Sequence, residues 1–205
     1  MQRVHLPGIA IGILGMLLAA VPALAALAPG AQAPAFTAPA SLAGKNFTFS
    51  LKHALSKGPV VVYFYPAAYT GGCDLEAHTF ATDKDKFVAA GATIIGVSAD
   101  SLKRLDMFSA DPKYCAGKFP VASDPHGKIA ATYGLKLIPP RPGVKDVRGV
   151  LVKHGFIPRT TFVIAADGTI VAAFSSAADH LKPDQHVTRA LAIVRRLHAA
   201  KAKAK

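Results

Sequence analysis

Val60-Val61-Val62-Tyr63-Phe64-Tyr65 is an unbroken run of β-branched and aromatic residues, the pattern of a strand covered on both faces. Ala92-Thr93-Ile94-Ile95-Gly96-Val97 has the same character. Between them, Cys73 to Ala90 carries apolar residues at helical spacing, Leu75, Phe80, Phe87 and Val88, and Gly91 follows as a stop signal. A strand–helix–strand unit of this length predicts a parallel pair joined by a right-handed crossover. Ser101–Ser109 reads as a second helix, capped by Asp100 or Ser101 and closed before Pro112, and Gly127–Tyr133 as a short third. Further strands are predicted over Phe47–Leu51, Phe119–Ala122, Thr161–Ala165 and Thr169–Phe174. The last two flank Ala166-Asp167-Gly168, a hairpin signal. Val187, Ala190, Leu191, Val194 and Leu197 mark the apolar stripe of a C-terminal helix. Parallel units followed by an antiparallel hairpin predict an α/β chain whose central mixed sheet has helices on both faces.

Two stretches fall outside this rhythm. Ala28–Ala40 is rich in Ala and Pro and reads as a linker, whereas Leu135–Pro158, with four prolines and three glycines, is a long irregular excursion of the kind functional loops make. Ahead of both, Ile9–Leu27 is apolar behind Arg3, interrupted by Gly12, Gly15 and Pro22, and followed by Ala23-Leu24-Ala25. Its unbroken core is shorter than a bilayer span, so residues 1–25 are expected to be a cleaved secretory signal. Residues 26–205 are then one domain with a basic tail. The expected location is periplasmic or otherwise extracytoplasmic, where a cysteine pair is free to form a disulfide. The 24 Lys+Arg against 12 Asp+Glu give a net charge of +12, but these residues are dispersed, with no basic run interleaved with aromatics and no Trp. A solvated basic surface follows, with no nucleic-acid partner.

The chemistry concentrates at Tyr65-Pro66-Ala67-Ala68-Tyr69-Thr70-Gly71-Gly72-Cys73, which holds one of only two cysteines. Pro66 ends the strand, and Gly71-Gly72 let the backbone turn before a helix that starts at Cys73. The thiol is thereby delivered to the positive end of a helix, an environment that lowers a cysteine pKa from its ordinary ~8.5. A buried, inert core thiol would satisfy the same local pattern, and both readings stand on these residues alone.

Pro66-x-x-x-Thr70-x-x-Cys73 resembles the P-x-x-x-T-x-x-C signature of the peroxiredoxins at the same strand-to-helix junction. Gly30–Phe36 is similar to the family's opening G-x-x-A-P-x-F, Gly96–Ser101 to its G-V-S-x-D-S, Phe119–Asp124 to its F-P-x-x-S-D, and Arg159–Ile164 to its R-x-T-F-V-I. The resemblance runs in order from about Pro29 to the C-terminal helix and is closest to the Q-type, bacterioferritin-comigratory branch. It departs from the usual T-P-G-C at Gly71, where the family has Pro. It also moves the start of the fold back into the apparent linker.

The resemblance implies a thioredoxin-like fold and a thiol peroxidase without metal or cofactor. Cys73 would be the peroxidatic nucleophile, oxidised to a sulfenic acid by hydrogen peroxide or an organic hydroperoxide. Arg159, the Thr70 hydroxyl and the Cys73 N–H would cradle the peroxide, Pro66 would shield the sulfur, and Glu76 would orient Arg159. Many Q-type members carry a resolving cysteine five residues after the first, but His78 stands there. Cys115, in Asp111-Pro112-Lys113-Tyr114-Cys115, is the expected resolving partner, giving an intramolecular disulfide that a thioredoxin-like dithiol reduces. A monomer or weak dimer is expected. A one-cysteine peroxidase and a non-catalytic redox sensor are the alternatives. C-x-x-C and C-x-x-x-C are both absent, which disfavours a disulfide reductase or copper carrier, and the missing Trp disfavours a glutathione peroxidase.

Overall fold

A computed structural model describes residues 26–203; the expected signal segment lies outside them. Among the described residues the strands are β1 (Thr37–Leu42), β2 (Lys45–Ser50), β3 (Val60–Phe64), β4 (Thr93–Ser98), β5 (Val121–Ser123), β6 (Thr160–Ile164) and β7 (Ile170–Ser175). The helices are α1 (Leu51–Leu55), α2 (Gly71–Ala89), α3 (Leu102–Ala110), α4 (Lys128–Thr132), α5 (Ser176–Asp179) and α6 (Pro183–Lys203). The strands form one sheet in the order β2-β1-β5-β4-β3-β6-β7. The β3–β4 and β4–β5 pairs are parallel, and the other neighbours are antiparallel. This is the mixed sheet that the hydrophobic pattern predicts.

Alternation along β3 divides the core. Val61 and Tyr63 face the layer that contains Phe80 and Phe87 of α2, Phe108 of α3, and Val187 and Val194 of α6. Val60, Val62 and Phe64 face the other, with Leu51 of α1, Ala130 of α4 and Phe162. Both faces are therefore dry, which is why β3 and β4 carry continuous apolar runs.

Two expectations need correction. The Ala- and Pro-rich stretch is not the linker that its composition alone suggests: its last four residues open β1, which pairs along its whole length with β2. Its pairing with β5 involves only Ala40 and Ser41, which leaves Pro39 outside that ladder, where a residue lacking an N–H is tolerated. In α2, Leu75 and Val88 face outward, 47% and 54% exposed. Cys73, Phe80 and Phe87, seven residues apart, set the phase of the helix instead, and Asp74 and Glu76 are buried with them.

Gly96 shows how tightly this sheet is packed. A Cβ at that position would lie 2.7 Å from Cζ and Oη of Tyr63. The Tyr63 ring cannot retreat, because it stacks on Phe80 at 4.6 Å and on Tyr65 at 5.3 Å between ring centroids. Gly96→Ala is therefore expected to lower stability by about 1–3 kcal/mol through overpacking, measured by urea denaturation. A variant as stable as the parent would show that the ring has somewhere to go.

Candidate active site

The chain leaves β3 at Phe64, passes Tyr65 and Pro66, and turns through Ala67–Tyr69 into α2. Tyr69 has φ 59°, a left-handed conformation unusual for a bulky residue. Thr70 is the N-cap of α2, but its hydroxyl makes no cap hydrogen bond and donates instead to the Ala67 carbonyl at 2.7 Å. The helix starts two residues earlier than the sequence suggests, so Cys73 is its third residue and remains within the first turn. Its N–H donates to the Thr70 carbonyl at 2.8 Å, so the expected peroxide donor is already engaged. Gly71 is the first helical residue with open space around its Cα. Pro is well accommodated at that helical position, and the departure from T-P-G-C leaves the turn intact. Gly72 has a different reason to be Gly: a Cβ would lie 3.3 Å from Nη2 of Arg159.

Arg159 immediately precedes β6 and reaches across to this turn. Its Nη2 donates to Sγ of Cys73 at 3.2 Å, and its Nη1 donates to Oε2 of Glu76. Cys73 is 2% exposed, Glu76 0%, and the Arg159 side chain 10%. One guanidinium thus serves a sulfur and a carboxylate away from water, and the half-buried Thr70 hydroxyl is also close enough to influence the sulfur. The structure brings Cys73, Thr70, Arg159 and Glu76 together, with Pro66 half-buried earlier in the same strand-to-helix connection.

The electrostatics differ from the expectation. Burial pushes the Cys73 thiol above its ordinary value, and this outweighs Arg159, the Thr70 hydroxyl and the backbone at Ala67, all of which pull it down. The negative charge of the Glu76 carboxylate adds a further, smaller upward push. A helix N-terminus favours an anion, but a closed pocket disfavours one more strongly. Burial likewise raises the Glu76 carboxyl to about 7, against the pull of Arg159.

Cys115 lies in the turn between α3 and β5, fully buried, and both thiols are free. Burial, then the charges of Asp74 and Asp111, push its thiol well up. Both sulfurs belong to one apolar cluster, and the Tyr63 phenol is within electrostatic reach of each. His78, at the place of the missing second cysteine, sits on α2 with Nδ1 3.1 Å from the Lys113 carbonyl, linking that helix to the Cys115 turn.

Sequence reasoning missed His186. It is buried on α6 between the hydroxyls of Thr161 at 2.9 Å and Ser176 at 3.0 Å. Burial, aided by the nearby Arg159 charge, lowers its pKa to about 4, so it is neutral beside the site. A single His in an amphipathic helix carries no signal of this in the sequence. Of the two candidate caps of α3, Ser101 takes that role; Asp100 instead accepts the Ala68 N–H at 2.8 Å and helps to fix the turn.

A thiol hydrogen-bonded to a guanidinium in a small closed pocket can attack an electrophile that fits beside it, and known proteins share the arrangement's framework. The sequence profile of the AhpC/TSA family matches residues 29–173. A Mycobacterium tuberculosis protein assigned to the peroxiredoxins is 34% identical over 145 residues, 71% of this chain and 83% of its own. Among solved structures, peroxidoxin BcpB of M. tuberculosis superposes with TM-score 0.66 at 32% identity, covering 83% of this chain and 97% of that one. The bacterioferritin comigratory protein of Xanthomonas campestris superposes with TM-score 0.60 at 30% identity, over 78% and 91%. Taken with the shared sheet and the profile match over most of the described domain, these place the chain in the AhpC/TSA family: it is a peroxiredoxin, a thiol peroxidase that consumes a hydroperoxide at the expense of a thiol reductant.

Proposed function

We propose that Cys73 is the peroxidatic nucleophile and that Arg159 both stabilises its anion and holds the peroxide. The observation that carries this is the Arg159 Nη2–Sγ hydrogen bond in a pocket closed to water. The thiolate attacks one peroxide oxygen and an S–O bond forms as the O–O bond breaks. The departing oxygen takes up a proton and leaves as water or alcohol, and Cys73 is left as the sulfenic acid. Because burial holds the thiol acidity back, rate must come from positioning and from the guanidinium opposing charge that develops on the leaving oxygen. Thr70 lines the edge where the peroxide would enter, and Pro66 keeps water off the sulfur. The Xanthomonas relative's alkyl peroxide reduction activity supports organic hydroperoxides, beside hydrogen peroxide, as substrates.

Cys115 is the resolving thiol in this reading. Its sulfur displaces hydroxide from Cys73–SOH, water leaves, and an intramolecular disulfide forms, later reduced by exchange with a thioredoxin-like dithiol. A bridge requires Cα atoms within about 7 Å, and with Cys73 in the first turn of a packed helix this reading expects that turn to unwind in each cycle. That turn begins Gly71-Gly72 behind a Thr70 without a side-chain cap bond, the weakest start available to a helix. Complete burial of Cys115 and its weakened thiol acidity favour a second reading, a one-cysteine peroxidase reduced directly at the sulfenic acid. We place the enzyme outside the cytoplasm on the strength of residues 1–25; none of the described helices is long and apolar enough to cross a membrane.

Equimolar peroxide followed by intact mass measurement and non-reducing peptide mapping separates the two cycles. The two-cysteine cycle predicts loss of two hydrogens and a Cys73–Cys115 peptide pair. Cys115→Ser is then expected to stall at an oxidised Cys73, and Cys73→Ser to consume no peroxide. An overoxidised Cys73 with Cys115 still free would sink the resolving role and leave the peroxidatic one standing.

A further inference from the structure

The irregular excursion is not a detached loop. Isolated bridges pair Ile138 with Phe156 and Lys145 with Leu151, and its centre is fastened to the active-site turn by buried charges. Asp146, 6% exposed, accepts the backbone N–H groups of Arg148 at 2.8 Å and Val150 at 3.0 Å, so it shapes its own loop. The same carboxylate accepts from the Arg148 side chain at 2.8 and 3.1 Å and meets Nη2 of Arg104 at 2.9 Å. Arg104 Nη2 also donates to the Ala68 carbonyl at 2.7 Å, while Asp100 accepts the Ala68 N–H. Asp100 is held in turn by Arg104 Nε and His154 Nε2, each at 2.8 Å. Val147 donates its N–H to the Tyr69 carbonyl at 2.9 Å, and the Arg148 guanidinium lies 3.3 Å above the Tyr69 ring.

Every polar backbone group of Ala68, and the carbonyl and ring of Tyr69, are therefore held from outside the turn. Tyr69 is the left-handed residue, and such a conformation persists for a bulky side chain only where its surroundings over-determine it. Thr70 follows it and Cys73 is one turn further on. Buried ion pairs are poor general stabilisers, since apolar residues of similar size often do as well. What they supply here is direction.

We infer that Asp146 and Arg148 are positioning residues for Cys73: acting through Arg104 and Tyr69, they hold Ala67–Thr70 in the backbone conformation that presents Thr70 and the Cys73 thiol to Arg159. Neither touches the sulfur. The inference rests on the peroxidatic reading of Cys73, and it assigns the excursion a task that its sequence neighbourhood to Arg159 does not require.

The test uses the full-length protein with Asp146→Asn, Arg148→Met and Arg148→Lys. Two quantities are measured: the rate of Cys73 oxidation, by competition with a haem peroxidase, and the pH profile of Cys73 alkylation by iodoacetamide. A structural control, Val194→Ala in the α6 core, loses stability without approaching the turn. Asp146→Asn and Arg148→Met should slow oxidation on the order of 10- to 100-fold and shift the alkylation profile, as misplacement of a reacting group does. Arg148→Lys should recover part of that loss. Val194→Ala, compared at a temperature where its folded fraction matches that of Asp146→Asn, should keep the parental rate per folded molecule to within about two-fold, because distant sites act independently. The inference is overturned if Asp146→Asn also stays within that margin, or if the core control loses as much. Should the parent consume no peroxide, or Cys73→Ser still consume it, the peroxidatic reading fails; the alkylation profile then decides the positioning role alone, and an unshifted profile in Asp146→Asn rejects it.

Discussion

Arg159→Ala should slow the reaction of Cys73 with peroxide by about 10²–10³-fold, the usual consequence of removing one preorganised donor from developing charge. Two effects add. The guanidinium is the leading influence pulling the Cys73 thiol down against burial. Without it the thiol rises further, and each tenfold loss of acidity removes about nine-tenths of the anion at a given pH. The donor 3.2 Å from the sulfur is also lost, and with it the group best placed to grip the peroxide. Stability must fall as well, because Glu76 would be left buried and unpaired, which typically costs about 3–5 kcal/mol. The double variant Arg159→Ala/Glu76→Gln separates the two losses: it should recover much of the stability and none of the rate. Arg159→Lys keeps the charge but cannot reach sulfur and carboxylate together with a planar fork, so an intermediate rate is expected. Competition kinetics with hydrogen peroxide measure all three. A double variant that regains the parental rate would show that Arg159 serves only to neutralise Glu76.

How much of this was legible beforehand depended on what each residue was answering to. β3, β4 and β6 answer to burial on both faces, and their apolar runs announce it. β1 does not, because small residues and Pro39 serve adequately where one neighbour is short and the other long. The outward Leu75 and Val88 misled the reading of α2 because the helix turns Cys73 and Glu76 inward with Phe80 and Phe87; a site that must bury polar groups breaks the amphipathic pattern where it matters most. The residues of the site were marked by motifs in order along the chain, yet their electrostatics were not. A thiol at a helix tip reads as acidified, and only the fold shows that it is also 2% exposed. The links from Val147 and Arg148 to a turn nearly eighty residues away, and from Asp146 to it through Arg104, have no local signature at all. Gly, Pro and charge in an irregular stretch look the same whether a loop is free or fastened.

Glu76 makes the last large effect one of pH. Its carboxyl is raised from an ordinary 4.5 to about 7, first by burial, with Arg159 opposing. Between those two values the unfolded chain has already released the proton while the folded protein still holds it. Raising the pH through this window therefore favours unfolding: the contribution is fully present below about 4.5, declines towards 7, and is flat above. Its full size is at most about 3.5 kcal/mol, since a tenfold difference in proton affinity between the folded and unfolded chain is worth about 1.36 kcal/mol. Glutamine has no proton to lose, so Glu76→Gln should remove the decline and be the more stable protein above pH 7. Subtracting its urea-denaturation curve from the parent's at each pH from about 4.5 to about 8 isolates Glu76 from Asp74, which burial raises to about 6. The cysteine should respond in the opposite sense to Arg159→Ala: with no carboxylate sharing the guanidinium, the alkylation midpoint of Cys73 moves down. The peroxide rate should nevertheless fall, since a guanidinium tied at one end only is held less firmly over the sulfur. Parallel stability curves for the two proteins would mean that Glu76 is ionised throughout, and the buried carboxylate would then be a permanent partner of Arg159 that never titrates in this range.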